Sequence, residues 1–247
     1  MFALMAAGSV FFPGMFLLSR LTLRFVMGWS EADATVVSVR GVSSVQGAMA
    51  SAAGYIIASS CHDVMEDKHW LTDAYISFAA PYFVYDVFAM FLCHRHKRQQ
   101  QEGAHVAAFV RREVLMVLHH AFMVLFCLPA SLVWRRGKGD YFQGLLLLAE
   151  LSTPCLKKEH TLLYKVNGAL MLLVFFGCRV LLFPYLYLAY SRYVSLPIHQ
   201  VVLEAPWQCN VGVVMLWPLQ IYWLTLMCRR ALRLLTRRSD ADAKKTA

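Results

Sequence analysis

The 247-residue chain is short of charge, and shorter still of acid: 15 Asp and Glu stand against 24 Lys and Arg, and all four types make up 16% of the residues. Soluble domains carry about 25%. Paired cysteines are also missing. The seven cysteines, Cys61, Cys93, Cys127, Cys155, Cys178, Cys209 and Cys228, stand singly. No C-x-x-C occurs, which argues against a zinc site and against a disulfide framework. They read as small apolar residues within apolar runs. A net charge of +9 would suit nucleic-acid binding in a soluble chain, but zinc-finger spacing and a basic, aromatic surface stripe are both lacking. The apolar runs contain no G-x-x-x-x-G-K, no G-x-S-x-G and no H-E-x-x-H, so the P-loop, serine-hydrolase and zinc-protease chemistries have no foothold. No solenoid repeat is present, and no pair of broken helices of transporter type.

What is present is apolar residue in long runs. Hydrophobic types make up 59%, and mean hydropathy is +0.50. Seven apolar segments cover residues 2–19, 36–59, 73–93, 113–134, 140–156, 162–190 and 209–228. Most are near the 20 or so residues that cross a bilayer. The expected fold is an all-α, polytopic membrane helix bundle of about seven transmembrane helices. Residues 1–18 resemble a signal peptide but lack a basic start, so they read as a retained first span. The second segment is rich in Gly, Ala and Ser, which suits a closely packed inner helix. The fifth is short, and reads as tilted, thin or half-inserted. Pro184 predicts a kink in the sixth. The stretch from Ser191 through Pro206 reads as a loop, and the tail beyond Thr236 as polar and disordered.

Loop charge gives an orientation. With the N-terminus outside the cytosol, the cytosolic side receives Arg20, Arg24, Arg95, Lys97, Arg98, Arg111, Arg112, Lys157, Lys158 and the tail from Arg229. That is roughly threefold more positive charge than the other side, as the positive-inside rule expects. The loop carrying Arg135, Arg136 and Lys138 is the exception. The loop at residues 61–67 is acidic and suits the non-cytosolic side.

Few polar residues interrupt the spans: Arg40, Asp86, His119, His120, Glu150, Asn167, Arg179 and Gln220. At membrane depth such groups pair with one another or line a wet cavity. His119 and His120 are the most informative. Adjacent helical residues point about 100° apart, so one ring faces a cavity and the other a neighbouring helix. None of their helical neighbours can hydrogen-bond them through a side chain, so any partner comes from another helix. A neutral imidazole accepts a proton near pH 7 or attacks a carbonyl, and both suit acyl transfer. A purely structural histidine pair is the competing reading. Asp86 serves either to orient a histidine or to pair with Arg40 or Arg179, and Glu150 has the same two options. Tyr82, Phe83, Tyr85 and Phe88 read as packing residues.

These residues, in this order, resemble the TLC-domain (TRAM, LAG, CLN) family. The resemblance is carried by Arg40-x-x-Ser43-Ser44, Tyr85-Asp86, His119-His120, Glu150-Leu151-Ser152-Thr153-Pro154, Asn167-Gly168 and Arg179-Val180-Leu181-Leu182-Phe183-Pro184. It divides the chain into a first transmembrane segment and loop (1–33), the TLC domain (34–235) and a polar cytosolic tail (236–247). Residues 28–33, 89–94 and 160–170 look more narrowly like a ceramide-synthase-like branch. The resemblance implies an endoplasmic-reticulum or Golgi protein with a lumenal N-terminus, acting as an N-acyltransferase that joins fatty acyl-CoA to a sphingoid base to give ceramide. His119, His120 and Asp86 would be catalytic, with Glu150, Arg40, Asn167 and Arg179 as supporting polar groups. Arg95, Lys97, Arg98, Arg111 and Arg112 would attract the phosphates of the acyl-CoA co-substrate. No metal and no bound cofactor are expected. Membrane lipids, acyl-CoA and a sphingoid base are the expected partners; a homo- or hetero-oligomer stays open, and nucleic acid is excluded. Typical ceramide synthases carry an Asp pair after the histidines, and Glu150 stands near that place. The link between the S-T-P and H-T-L-L stretches is shorter here, only residues 155–159. A non-enzymatic lipid-binding or lipid-homeostasis protein is the alternative.

Overall fold

The structure, a computed structural model, describes residues 1–98, 106–152 and 162–243. Its elements are helical, and no strand occurs among the described residues. The chain divides into two compact units, Met1–Leu156 and Lys157–Ala247.

The first unit begins with α1 (Phe2–Leu21), prolonged by a π-helical turn, Thr22–Val26. After a short link comes α2 (Glu31–Ser60). Ser30 caps it: its Oγ accepts the Asp33 backbone N–H at 3.1 Å. Glu31 and Asp33 put negative charge in the first turn, where the helix dipole favours it. Arg20 and Arg24 at the end of α1 pair with Glu31. A buried stripe then runs down α2 at helical spacing, through Thr35, Ser38, Val39, Val42, Gln46, Ala50, Ala53 and Ile57. It packs on α1, on α3 (Trp70–Arg98) and on α6 (Asp140–Leu148). This is the packed inner helix that its small residues predict.

The core of the unit joins Phe12 and Phe16 of α1, Val39 and Val42 of α2, and Tyr82, Tyr85 and Ala89 of α3. A short α4 (Val106–Arg112) leads into α5 (Val114–Phe122). Two π-helical stretches, Met123–Cys127 and Ala130–Trp134, carry the same rod onward. Pro129 lies between them and has no N–H for the Leu125 carbonyl. α6 is followed by a 3₁₀ turn, Ala149–Ser152. Together they measure about 20 Å, short of the ~30 Å apolar core of a bilayer. Cys155 and residues 153–161 lie outside the described set.

At the end of the unit where α3 begins, two loops clasp. Arg135 bonds to both Asp73 and Asp140, and Lys138 Nζ reaches Glu66 at 2.6 Å. The buried Asp140 carboxylate also accepts the His69 N–H at 2.7 Å. Gly139 N–H donates to the Met65 carbonyl at 2.8 Å. The exceptional basic loop thus sits against the acidic one. Within the acidic loop, Asp67 accepts the backbone N–H groups of His62 and Asp63 at 2.6 and 2.9 Å. Those two donors hold its carboxyl below the usual carboxylate range.

The second unit contains α7 (Leu162–Phe175), a π-helical turn (Phe176–Leu181), α8 (Leu182–Val194), α9 (Ile198–Glu204) and α10 (Trp207–Ala243). The π turn lies just before Pro184, which has no backbone N–H to donate. Where a loop was expected, α9 occupies part of the stretch: Pro197 precedes it and Pro206 follows it, at positions where a helix tolerates proline. The backbone is also helical as far as Ala243, beyond the point where disorder was expected. Once a helix exists, each added Ala, Arg or Leu brings one more hydrogen bond.

Among the described residues, five helices are long and apolar enough to cross a membrane: Phe2–Val26, Trp70–Arg95, Val114–Trp134, Gly168–Val194 and Trp207–Arg233. The chain is an integral membrane protein of helical class. At 30 residues α2 is long enough as well, but its Gly, Ala and Ser make it less apolar. Cys209 and Cys228 are exposed, unlike the buried Cys61.

Candidate functional site

The site is built on α3 and α5, with α2 behind. His120 is seven residues into α5, and the other face of that helix is apolar and exposed at Leu115 and Leu118. The helix turns His120 inward, to 7% exposure. Its Nε2 lies 3.0 Å from Asp86 Oδ2 on α3. Its Nδ1 lies 2.8 Å from the Met116 carbonyl oxygen, one helical turn back. A carbonyl only accepts, so Nδ1 carries a hydrogen. One further proton is shared between Nε2 and the carboxylate. Phe83 covers the imidazole edge-on, with ring centroids 5.9 Å apart. Breaking a buried pair like this by deleting one partner typically costs about 3–5 kcal/mol.

Asp86 has a second contact. The Tyr82 hydroxyl lies 3.3 Å from its Oδ1 and 3.0 Å from Ser43 Oγ on α2. Tyr82 is four residues before Asp86, so both sit on one face of α3. The Tyr82 ring also packs against Phe12, Phe83 and Tyr85.

His119 points elsewhere. Its ring stands at 86° to that of His120, with centroids 5.5 Å apart. Helix geometry alone requires such a divergence.

Glu150, half-buried in the turn after α6, is within electrostatic reach of Tyr75, Tyr82 and His120. The structure therefore brings Asp86, His120 and Glu150 to one place within the first unit, with the His119 ring beside His120. Arg40 is not part of that group: it is exposed on α2. Arg179 belongs to the second unit, where its guanidinium lies 5.4 Å from the centre of the Phe175 ring. Asn167 is on α7, with its side chain outside the described set.

The expected phosphate-attracting residues fall at one end of the first unit. Arg95 is exposed near the end of α3, and Arg111 and Arg112 are exposed at the end of α4. The side chains of Lys97 and Arg98 lie outside the described set. Phe109 of α4 packs on Phe91 and His94 of α3, at centroid distances of 5.5 and 5.6 Å, which ties the two basic ends together. Among the described residues no three His, Cys, Asp or Glu side chains gather to hold a metal ion.

Sequence reasoning took Tyr82 for a packing residue and gave Ser43 no role. The signal for Tyr82 was available, because a polar residue four before a carboxylate shares its helical face. Phe88, also read as packing, is 58% exposed and faces outward.

One comparison with known proteins bears on these residues. The family model of the TLC domain, the TRAM_LAG1_CLN8 family, matches residues 37–229, a stretch that includes every residue of the cluster. No solved structure matches the chain.

Proposed function

The chain belongs to the TLC-domain family, and from that premise we propose that it is a ceramide-synthase-like N-acyltransferase, joining a fatty acyl-CoA to a sphingoid base. The observation that carries the reading is the Asp86–His120 pair, buried among apolar helices with His119 beside it. Keeping an ionisable pair at membrane depth is costly, and such pairs mark functional sites.

The roles follow from proton accounting. A histidine that works as a base with carboxylate support gives one ring nitrogen to the carboxylate and keeps the other for the substrate. His120 gives one nitrogen to Asp86 and the other to Met116. It is therefore the fixed anchor, and His119 is the ring that meets the reactants. The amine nitrogen attacks the thioester carbonyl carbon, the C–N bond forms and the C–S bond breaks. His119 accepts the proton lost by the amine and passes it to the departing thiolate, which leaves as coenzyme A thiol. The ring returns to its starting state.

The basic end suits the co-substrate. Arg112 is two residues before α5 begins, and His120 is about 9 Å along that helix from Val114. Arg95, Arg111 and Arg112, with Lys97 and Arg98, can hold phosphates at the membrane face while the acyl chain runs inward among apolar side chains. On this reading that face is cytosolic, the N-terminus is lumenal, and the protein resides in the endoplasmic reticulum or Golgi.

The test uses purified protein in liposomes supplied with labelled acyl-CoA and sphinganine. Labelled ceramide is expected. A wild-type protein that binds these lipids without turning them over would overturn the acyltransferase reading in favour of lipid binding. Activity that survives in both His119→Ala and His120→Ala would remove the pair from the mechanism.

A further inference from the structure

We propose that Tyr82 and Ser43 are positioning residues for the acyl-transfer site, forming a hydroxyl strut that fixes the Asp86 carboxylate against His120. In its activity arm the inference rests on the function proposed above; in its geometry it stands alone.

Three contacts define the strut. Tyr82 Oη is 3.3 Å from Asp86 Oδ1. The same Oη is 3.0 Å from Ser43 Oγ. Ser43 Oγ is 3.1 Å from the Val39 carbonyl. The chain crosses from α3 to α2 and ends on backbone. Each hydroxyl has one hydrogen. Ser43 gives its hydrogen to the Val39 oxygen or, on rotation, to Tyr82 Oη. The single phenol hydrogen lies between two acceptors, Ser43 Oγ and Asp86 Oδ1, and goes to Asp86 when Ser43 gives its own to Tyr82. It serves either by rotation about the C–O bond, with no heavy atom moving.

Two consequences separate this strut from ordinary packing. The first is that it ends on an acceptor with no proton to give, so it cannot carry protons away from the site; its role is orientation. The second is that, with Ser43 donating to Tyr82, the carboxylate receives one donor on each oxygen, Tyr82 on Oδ1 and His120 on Oδ2. That arrangement stops the carboxylate from turning about its own axis and holds the imidazole plane. Ser43 keeps the phenol within reach, and the ring contacts to Phe12, Phe83 and Tyr85 keep it from swinging.

The experiment compares Tyr82→Phe, Ser43→Ala, their double variant and Ser43→Thr, each in liposomes. Tyr82→Phe should lower kcat about tenfold, the scale of one lost hydrogen bond to a charged group, and leave KM for both substrates unchanged. Ser43→Ala should lower kcat about threefold, and Ser43→Thr, which keeps the hydroxyl, should restore it. Because both residues act through one chain, the double variant should lose no more than Tyr82→Phe alone. Full activity in Tyr82→Phe, or additive losses in the double variant, would overturn the strut. If Tyr82→Phe does not fold, the comparison of Ser43→Ala with Ser43→Thr decides it. If the wild type makes no ceramide, the acyltransferase reading fails and the strut is judged on nitrogen-15 spectra of histidine-labelled protein. There the His120 Nε2 resonance should move in Tyr82→Phe, and an unmoved resonance would overturn the strut.

Discussion

Gly54 on α2 and Gly144 on α6 meet backbone to backbone. A β-carbon on Gly54 would stand 2.5 Å from the Gly144 carbonyl oxygen, and one on Gly144 would stand 2.9 Å from the Ala58 nitrogen. Neither side of the crossing has a flexible side chain that can give way. α6 is only nine residues long, so its seat on α2 depends on this approach, and α6 leads into the turn that carries Glu150.

Gly54→Ala should therefore destabilise the protein by about 1–3 kcal/mol, as overpacking does. Gly41→Ala is the control. It lies in the same helix with nothing within 4 Å of the added carbon, so helix propensity alone should make it neutral or about 0.5–1 kcal/mol stabilising. Thermal melting in detergent should separate the two. Equal melting temperatures would show that the crossing is looser than described.

Asp86→Asn and Asp86→Leu should differ. An amide can give its NH₂ to Nε2 of a neutral His120 while Nδ1 still donates to Met116, so Asp86→Asn should fold with a loss within about 1 kcal/mol. Without the carboxylate charge its turnover should drop by about 100-fold or more. Asp86→Leu leaves Nε2 buried without a partner and should cost about 3 kcal/mol or more. The readouts are melting temperature and ceramide formation, measured on the same preparations.

Trp217 and Pro184 answer one another in the second unit. The Trp217 indole N–H donates to the Val180 carbonyl at 3.0 Å, the acceptor that Pro184, four residues on, cannot serve. Trp217→Phe should destabilise by about 1–3 kcal/mol through the unsatisfied carbonyl. Adding Pro184→Ala returns a backbone donor and should recover part of that loss. Additive destabilisation in the double variant would disprove the link.

The α2–α3 loop should depend on acid in a defined window. The Asp67 carboxyl is held below its ordinary value of 3.8 by the His62 and Asp63 N–H groups. A depressed carboxyl contributes stability above its unfolded value and loses it as pH falls through the folded one. Hydrogen-exchange protection factors at His62 and Asp63 should therefore hold from neutrality to about pH 4 and collapse below that. In Asp67→Ala the protection should be absent at every pH.

Much of the site could be read from the chain. Two adjacent polar rings in an apolar run, and one carboxylate in another, are conspicuous at membrane depth, and helix geometry required the rings to diverge. Which ring docks was not readable, because that depends on how α5 is rotated against α3, and periodicity fixes a helix only relative to itself. The α3 register that carries Tyr82 beside Asp86 was available in the four-residue spacing, but an aromatic in a span looks like packing until its hydroxyl is seen to meet Ser43. Arg40 looked like an interior charge because of the apolar segment around it; the phase of α2 puts it outside. The α2 boundary was read five residues late, because Glu31 and Asp33 resemble a loop until Ser30 is seen to cap them.

The clasp between the loops changes how that end of the protein meets an electric field. Arg135 and Lys138 pair with Asp73, Asp140 and Glu66, and residues 61–73 and 135–140 together hold four Lys and Arg against five Asp and Glu. Each unit charge carried across a membrane at 100 mV costs or releases about 2.3 kcal/mol. A cluster this close to balance feels little of that force. The clasp can open and close with little net charge moving through the potential, so its position is set more by its own hydrogen bonds than by the voltage across the membrane.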